Sequence, residues 1–427
     1  MAAMDTRRLL HTALPYLLLA LAFAAVAARC TQGVPSTHES SALAAAQQLL
    51  AGGSAACSQW GAAQASGFLL LPASALAASL AQGGAGLVLA VRMLFAAFSF
   101  AVALAAFKLL SPRMGQTPAL CTCLGFMLCA CSGAELIAPF GLCVSLGFGA
   151  FACALGSWNL LLEDDGSQTG YARVLLPLGA GLCAVTACIA NHLAAPVMAC
   201  LLLCSLALIA RTGARGLMQL LWCAAGAVLG TALFLLVATG FGQPAEVLAA
   251  LAAGLAAPRL GEAGTAGGVL ALLAILPPAA LYLGALASGE RGLPERVSWA
   301  CGVALLVLGL AATAAAGLPT AGAGERVQLS SGPLEGIAVS AGEERTYSEL
   351  LELLAKADEG ALFVEGDAQW ALLGRSDGYA PLGQAEWVLA VGGEAAGLSE
   401  AEYLPFSSNA SATLYKHVAP QSFITAG

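Results

Sequence analysis

The sequence predicts a mainly α-helical, polytopic membrane bundle with a small α/β domain at its C-terminal end. Three observations carry this. Of 427 residues, 59% are hydrophobic and 10% charged, against about 25% charged in a soluble domain. Mean hydropathy is +0.82, and several apolar runs exceed the ~18 residues that cross a ~30 Å hydrocarbon layer as a helix. Beyond residue 320 the pattern changes to short stretches alternating between strand-like and helix-like. The net charge of −8 belongs to that last part. Residues 324–427 hold 5 Lys/Arg and 15 Asp/Glu, and the rest of the chain holds 12 and 10. Neither part has a basic patch, which excludes nucleic acid as a partner; the composition implies the lipid bilayer.

The first apolar run, 9–28, follows Arg7 and Arg8 and reads as a retained signal-anchor helix rather than a cleaved signal peptide, because it is long for one. About eight further spans are expected, at 85–109, 116–134, 137–158, 174–190, 193–210, 217–240, 267–287 and 297–316. With the N-terminus inside, the inner loops receive Arg7/Arg8, Lys108/Arg113, Arg173, Arg211/Arg215 and Arg291/Arg296, and the outer loops only Arg29 and Arg259. This obeys the positive-inside rule. An odd number of spans then places the tail outside. The stretch 67–82 carries Pro72 and ends at a Gly pair. As a full crossing it would move every later Arg pair outside, so it reads as an interfacial or re-entrant helix of the outer leaflet. Residues 29–84 therefore form one long outer loop, with a polar helix near 39–51. A second outer segment, 241–266, carries a surface-lying helix between Pro244 and Pro258.

In the tail, "EGIAVS", "GALFVEG" and "EWVLAVGG" read as strands, and "TYSELLELLAKADE" and "DAQWALLGR" as helices, with Asp367 as an N-cap. The expected division is 1–319, a transmembrane domain including the loop 29–84, and 320–427, an extracytoplasmic α/β domain. "VGGEAAG" has the glycines of a phosphate loop without the following Lys-Ser/Thr, and reads as a turn.

Of 14 cysteines, twelve lie within apolar runs from Cys121 to Cys301. Pairs such as Cys121/Cys123 and Cys129/Cys131 lack acidic or His neighbours, and act as small helix filler. Cys30 and Cys57 flank the outer loop, where a disulfide between them is chemically allowed.

That loop holds one acidic residue, Glu39, in "STHESSALAAAQQLL". Two readings stand side by side. Ser36 or Thr37 caps a helix with Glu39 in its first turn, where the dipole favours an acid. Alternatively, a carboxylate at the membrane–water boundary is a general base, or grips a divalent cation.

The order of features here resembles the N-terminal third of GT-C class glycosyltransferases, multi-pass enzymes that use polyprenyl-phosphate sugars. The order is an anchor helix, an outer loop opening on an acid, a helix ending in Leu50-Ala-Gly-Gly53, a juxtamembrane helix with Pro72, and a span opening at Gly86 with Arg92 near its outer end. "SGPLEGI", 331–337, looks like the start of the tail domain of bacterial members. The resemblance implies sugar transfer from a polyprenyl-phosphate donor to an envelope glycan or lipid acceptor, outside the cytoplasmic membrane. Glu39 is then the base. Arg92, Arg259 and His192 are candidates to hold the donor phosphate, and His38, Trp60 and Gln64 to line the sugar or acceptor cleft. Snorkelling, headgroup anchoring and plain loop positions are the ordinary alternatives for Arg92, Arg259 and His192, and interfacial anchoring for Trp60. Where the class often shows a pair of acids, this chain has His38-Glu39. A divalent cation is a possible cofactor, with Glu135, Glu246 or Glu262 as a second acid. The alternative function is non-catalytic: an envelope assembly or interaction protein on a degenerate glycosyltransferase scaffold. A transporter is disfavoured, because Arg92 is the only charge within a span and no repeat is evident.

Overall fold

The computed structural model describes residues 2–52, 64–80, 85–131, 139–162, 170–191, 194–240, 245, 295–315, 326–358, 360–373, 385–392 and 402–418. Its helices are α1 (Ala2–Cys30), α2 (Thr37–Leu50), α3 (Gln64–Leu80), α4 (Leu87–Met114), α5 (Gln116–Cys131), α6 (Pro139–Leu162), α7 (Ala172–Ala190), α8 (Ala195–Thr212), α9 (Ala214–Thr239), α10 (Glu295–Ala315) and α11 (Ala341–Leu354). Its strands are β1 (Arg326–Gln328), β2 (Ala338–Ser340), β3 (Leu362–Gly366), β4 (Trp387–Val391), β5 (Tyr403–Ser408) and β6 (Ala412–His417), with a 3-10 helix at Ala368–Leu373.

Among the described residues, 5 helices are long and apolar enough to cross a membrane: Ala13–Cys30, Leu87–Pro112, Gly141–Trp158, Ala172–Ala190 and Ala214–Thr239. These coincide with five of the nine expected spans. The regions expected at 116–134, 193–210 and 297–316 form helices whose apolar parts are shorter, and 267–287 lies outside the described residues. The chain is thus a helical, membrane-type protein, while a count of nine crossings goes beyond what these helices establish.

The chain forms two compact units. The first comprises Met1–Cys30, Arg92–Leu236 and Pro258–Ala321. Its centre is α6, whose apolar window is 83% buried, whereas that of α9 is 17% buried. On α9 the exposed residues include Leu217, Leu221, Val228, Leu233 and Leu236, a surface suited to lipid rather than water. Glycines set the closest helix approaches. A methyl group on Gly181 of α7 would collide with the Cys223 carbonyl of α9, and one on Gly226 with the Leu178 carbonyl. Gly125 of α5 lies in the same way against Leu305 of α10, and Gly309 against Gly125. Small residues permit such approaches where no hydrophobic effect drives helices together. Buried polar pairs add to this: the Ser99 and Ser145 hydroxyls lie 3.0 Å apart between α4 and α6, and Trp158 Nε1 donates to Ser205 Oγ at 3.1 Å between α6 and α8.

The second unit comprises Thr31–Val91, Val237–Ala257 and Gly322–Gly427. The loop expected at 29–84 thus groups with the tail rather than with the bundle. Backbone bonds show how. Gly33 N–H donates to the Ala338 carbonyl and Ala338 N–H to that of Thr31, at 3.0 and 2.7 Å, so the chain leaving α1 pairs with β2. The turn Gly332–Gly336 does the same for α4. Gly86 N–H donates to Gly332 O and Val88 N–H to Pro333 O, at 3.0 and 3.2 Å. These satisfy donors that a helix start leaves without intrahelical partners.

The tail carries a 4-stranded sheet in the order β3-β4-β6-β5, parallel between β3 and β4 and antiparallel elsewhere, and β1 pairs with β2. The three expected strands correspond to β2, β3 and β4, while β1, β5 and β6 were not foreseen. Helix α11 begins earlier than the pattern at 346 predicts, because Ser340 forms a capping box with Glu343. "DAQWALLGR" forms a 3-10 helix rather than an α-helix. Trp370, Ala371, Leu372 and Leu373 are all buried, and four successive residues do not share one face of an α-helix. Asp367 still caps it, with Oδ1 accepting Gln369 N–H at 3.0 Å.

Candidate functional site

Helix α2 starts as capping chemistry requires. Ser36 has extended backbone angles (φ −67°, ψ 165°), and its hydroxyl accepts Glu39 N–H at 3.2 Å. Of the two caps the sequence allowed, Ser36 is the one used. The helix ends at Ala51 and Gly52, whose N–H groups return to Gln47 and Leu49, with Gly52 at φ 85°. "Leu-Ala-Gly-Gly" is thus a glycine-terminated helix end. Alanine content follows from burial on two sides: Ala42, Ala44, Ala45 and Ala46 are all buried. On one side Gly67 of α3 lies so close that a methyl there would come within 2.8 Å of Ala45 Cβ. On the other, Ser40 Oγ donates to the Gln369 carbonyl of the 3-10 helix at 2.6 Å.

Glu39 has 0% exposure in this arrangement, and Ser40 likewise. A first-turn acid that only complements a helix dipole usually projects into water, so this burial is the feature of the site that helix capping does not require. His38, beside it, is half-buried. Deeper in the tail, Tyr347 holds the "SGPLEGI" turn. Its hydroxyl donates to Ser331 O at 3.0 Å and accepts Leu334 N–H at 3.4 Å. Burial pushes the phenol up to about 12, against the smaller opposing effect of the Leu334 bond.

Arg92 belongs to the other unit and is described by itself. It is 1% exposed, and Nη1 donates to the carbonyl of Cys30, the last residue of α1, at 3.3 Å. Cys30 returns a thiol contact to Arg92 O at 3.6 Å. A cation on a terminal helix carbonyl also meets the negative end of that helix's dipole. Arg92 thus does not snorkel at the described surface.

The chain matches no family model, no curated protein and no solved structure.

Of the remaining expected site residues, Gln64 is the first residue of α3. Cys57, Trp60, His192 and Arg259 lie outside the described residues, as do the acids Glu135, Glu246 and Glu262. Among the described residues, no group of three or more His, Cys, Asp or Glu is disposed to hold a metal ion. A divalent cation takes several oxygen ligands, and the described part of the loop supplies one carboxylate, Glu39. That donor set does not fit a cation, so no step is routed through one. The contacts from the tail onto α2, through Ser40 and the 3-10 helix, were invisible in the sequence, because no local pattern records a contact between residues 40 and 369.

Proposed function

We propose that the chain is a glycosyltransferase-like membrane protein, transferring a sugar from a polyprenyl-phosphate donor to a hydroxyl of an envelope acceptor on the outer side of the cytoplasmic membrane. The observation that carries this is the complete burial of Glu39, the single acid of residues 29–84. Removing a carboxylate from water costs several kcal/mol unless it is compensated. Such placement is typical of groups kept for chemistry. The resemblance to GT-C enzymes and the distribution of arginines support the same reading.

In this reading Glu39 takes the proton of the acceptor hydroxyl. The acceptor oxygen bonds to the anomeric carbon, the bond from that carbon to the phosphate oxygen breaks, and polyprenyl phosphate leaves. Inversion needs only this one base. Arg92, Arg259 and His192 are assigned to the departing phosphate, and His38, Trp60 and Gln64 to the cleft. Glu39→Gln is expected to lower transfer of label from polyprenyl-phosphate sugars into the envelope fraction by about 10²–10⁴-fold, the usual contribution of a general base, with membrane insertion unchanged. Full transfer by that variant removes Glu39 from the mechanism.

A second reading, a non-catalytic assembly protein, is favoured by a different observation. Edge strand β5 leaves Leu404 and Phe406 more than half exposed, at 54% and 53%. An apolar sheet edge is a pairing surface. Under this reading Glu39→Gln changes nothing, whereas Leu404→Ser with Phe406→Ser releases a co-purifying envelope protein. Retention of every co-purifying protein by that double variant removes the second reading.

A further inference from the structure

The helical bundle contains a groove that the glycosyltransferase reading does not use. Its mouth is a cavity of about 300 Å³ where the C-terminal end of α6 meets the N-terminal ends of α7 and α9, lined by Arg173, Arg215, Gln219 and Trp222. A narrow neck follows, sharing Gln219 and Leu161 with the mouth. Through Ser205, Leu220 and Cys223 the neck opens into a second cavity of about 390 Å³ between α6, α7, α8 and α9. That deeper cavity is lined almost entirely by apolar side chains, among them Ala184, Val185, Met198 and Leu202.

Charge and shape are therefore segregated along one continuous path. Arg173 and Arg215 are each the second residue of their helix. The first turn of a helix carries the positive end of its dipole and normally attracts acids. Neither α7 nor α9 has an acid in its first turn. Two dipoles and two guanidinium groups thus converge on one mouth and reinforce one another, an arrangement that an anion stabilises. Beyond the mouth, Gln219 Nε2 donates to Ser157 O at 2.8 Å, while Gln219 Oε1 is buried without a hydrogen-bond partner. An acceptor in the neck waits for a donor such as a hydroxyl. The deeper cavity has no chemistry to offer except to hydrocarbon.

We propose that this groove is a specific site for an anionic phospholipid of the bilayer. The phosphate sits between Arg173 and Arg215, a headgroup or glycerol hydroxyl reaches Gln219, and one acyl chain lies in the deeper cavity. The site is independent of Glu39 and of any transfer reaction. It places a lipid along the crossing of α7 and α9, where the helices touch through Gly181 and Gly226.

Native mass spectrometry of the full chain in detergent, titrated with phosphatidylglycerol and with phosphatidylcholine of the same acyl length, tests the proposal. Each arginine near a lipid surface contributes about fivefold in affinity, so Arg173→Gln with Arg215→Gln is expected to weaken phosphatidylglycerol binding about thirtyfold, leaving phosphatidylcholine unchanged. Ala184→Leu, which keeps both arginines, is expected to weaken long-chain but not short-chain phosphatidylglycerol. Inorganic phosphate alone is expected not to compete. Equal binding of the two lipids by the wild type would mean annular lipid only and overturns the proposal. So does undiminished binding by the double-arginine variant, the result if these arginines only pair with Glu163, Asp164 and Asp165 of the α6–α7 connection. Competition by free phosphate at lipid-like affinity would overturn the role of the groove. Loss of binding by Ala184→Leu, confirmed monodisperse by size-exclusion chromatography, separates an occupied groove from a misfolded variant.

Discussion

Tyr347 shows how much a single side chain decides. Its hydroxyl bridges Ser331 and Leu334, and its ring lies 6.1 Å from that of Trp370, so one residue joins the "SGPLEGI" turn to the 3-10 helix. The phenol is raised from 10.0 to about 12 in the folded chain. A raised value means that folding favours the protonated form. Its contribution is full below pH 10.0 and is lost as pH climbs through about 12. The wild type is therefore expected to lose unfolding resistance across that window more steeply than Tyr347→Phe, measured as the difference in thermal midpoints of the two proteins in detergent. Parallel pH curves would remove Tyr347 from the account. At this scale the sequence was partly legible. Ser36 and Asp367 could be read as caps because capping is local chemistry. The partner of Arg92, the carbonyl of Cys30, could not be read, because 62 residues separate them.

Elements in the bundle are held by backbone proximity as much as by side chains. Gly125, Gly302 and Gly309 let α5 and α10 approach so closely that a methyl on Gly302 would come within 2.7 Å of Pro118 O, and one on Gly309 within 2.6 Å of Gly125 O. Overpacking such a seam costs about 1–3 kcal/mol, and here backbone, not a flexible side-chain end, stands in the way. Gly309→Val is expected to lower the thermal midpoint in detergent and make α10 accessible to protease in membranes, while Gly342→Val, a glycine with open space around it, is expected to leave the bundle unaffected. Equal behaviour of the two variants would show that the α5–α10 seam carries no load. Helical character and apolar length were legible for these elements from composition alone. The 3-10 geometry at Ala368–Leu373 and strands β1, β5 and β6 were not. Such segments are short, and pairing across the sheet, rather than propensity, selects them.

At the scale of the whole molecule, the division of the chain is the main consequence. The loop helices α2 and α3 do not stand alone; they form a unit with residues from the tail. Removal of 322–427 is expected to take away the partners of Gly33, Ser40, Gly86 and Val88, and to make residues 31–80 sensitive to limited proteolysis in membranes. A loop that stays protected in the truncated chain would mean that α2 and α3 hold each other without the tail. The same contacts tie the proposed catalytic acid to the tail, because Ser40, next to Glu39, donates to Gln369.

By itself the sequence determined the class of the molecule. It is apolar, helical and built for a membrane, with an acidic piece of alternating strands and helices at the end, because hydropathy and periodicity are local properties that each segment carries alone. Tertiary structure decided which helices touch through glycine, that the first loop joins the tail, and that Glu39 leaves water altogether. Burial of a polar group is a property of what folds over it, and the residues that fold over α2 come from more than 300 positions away.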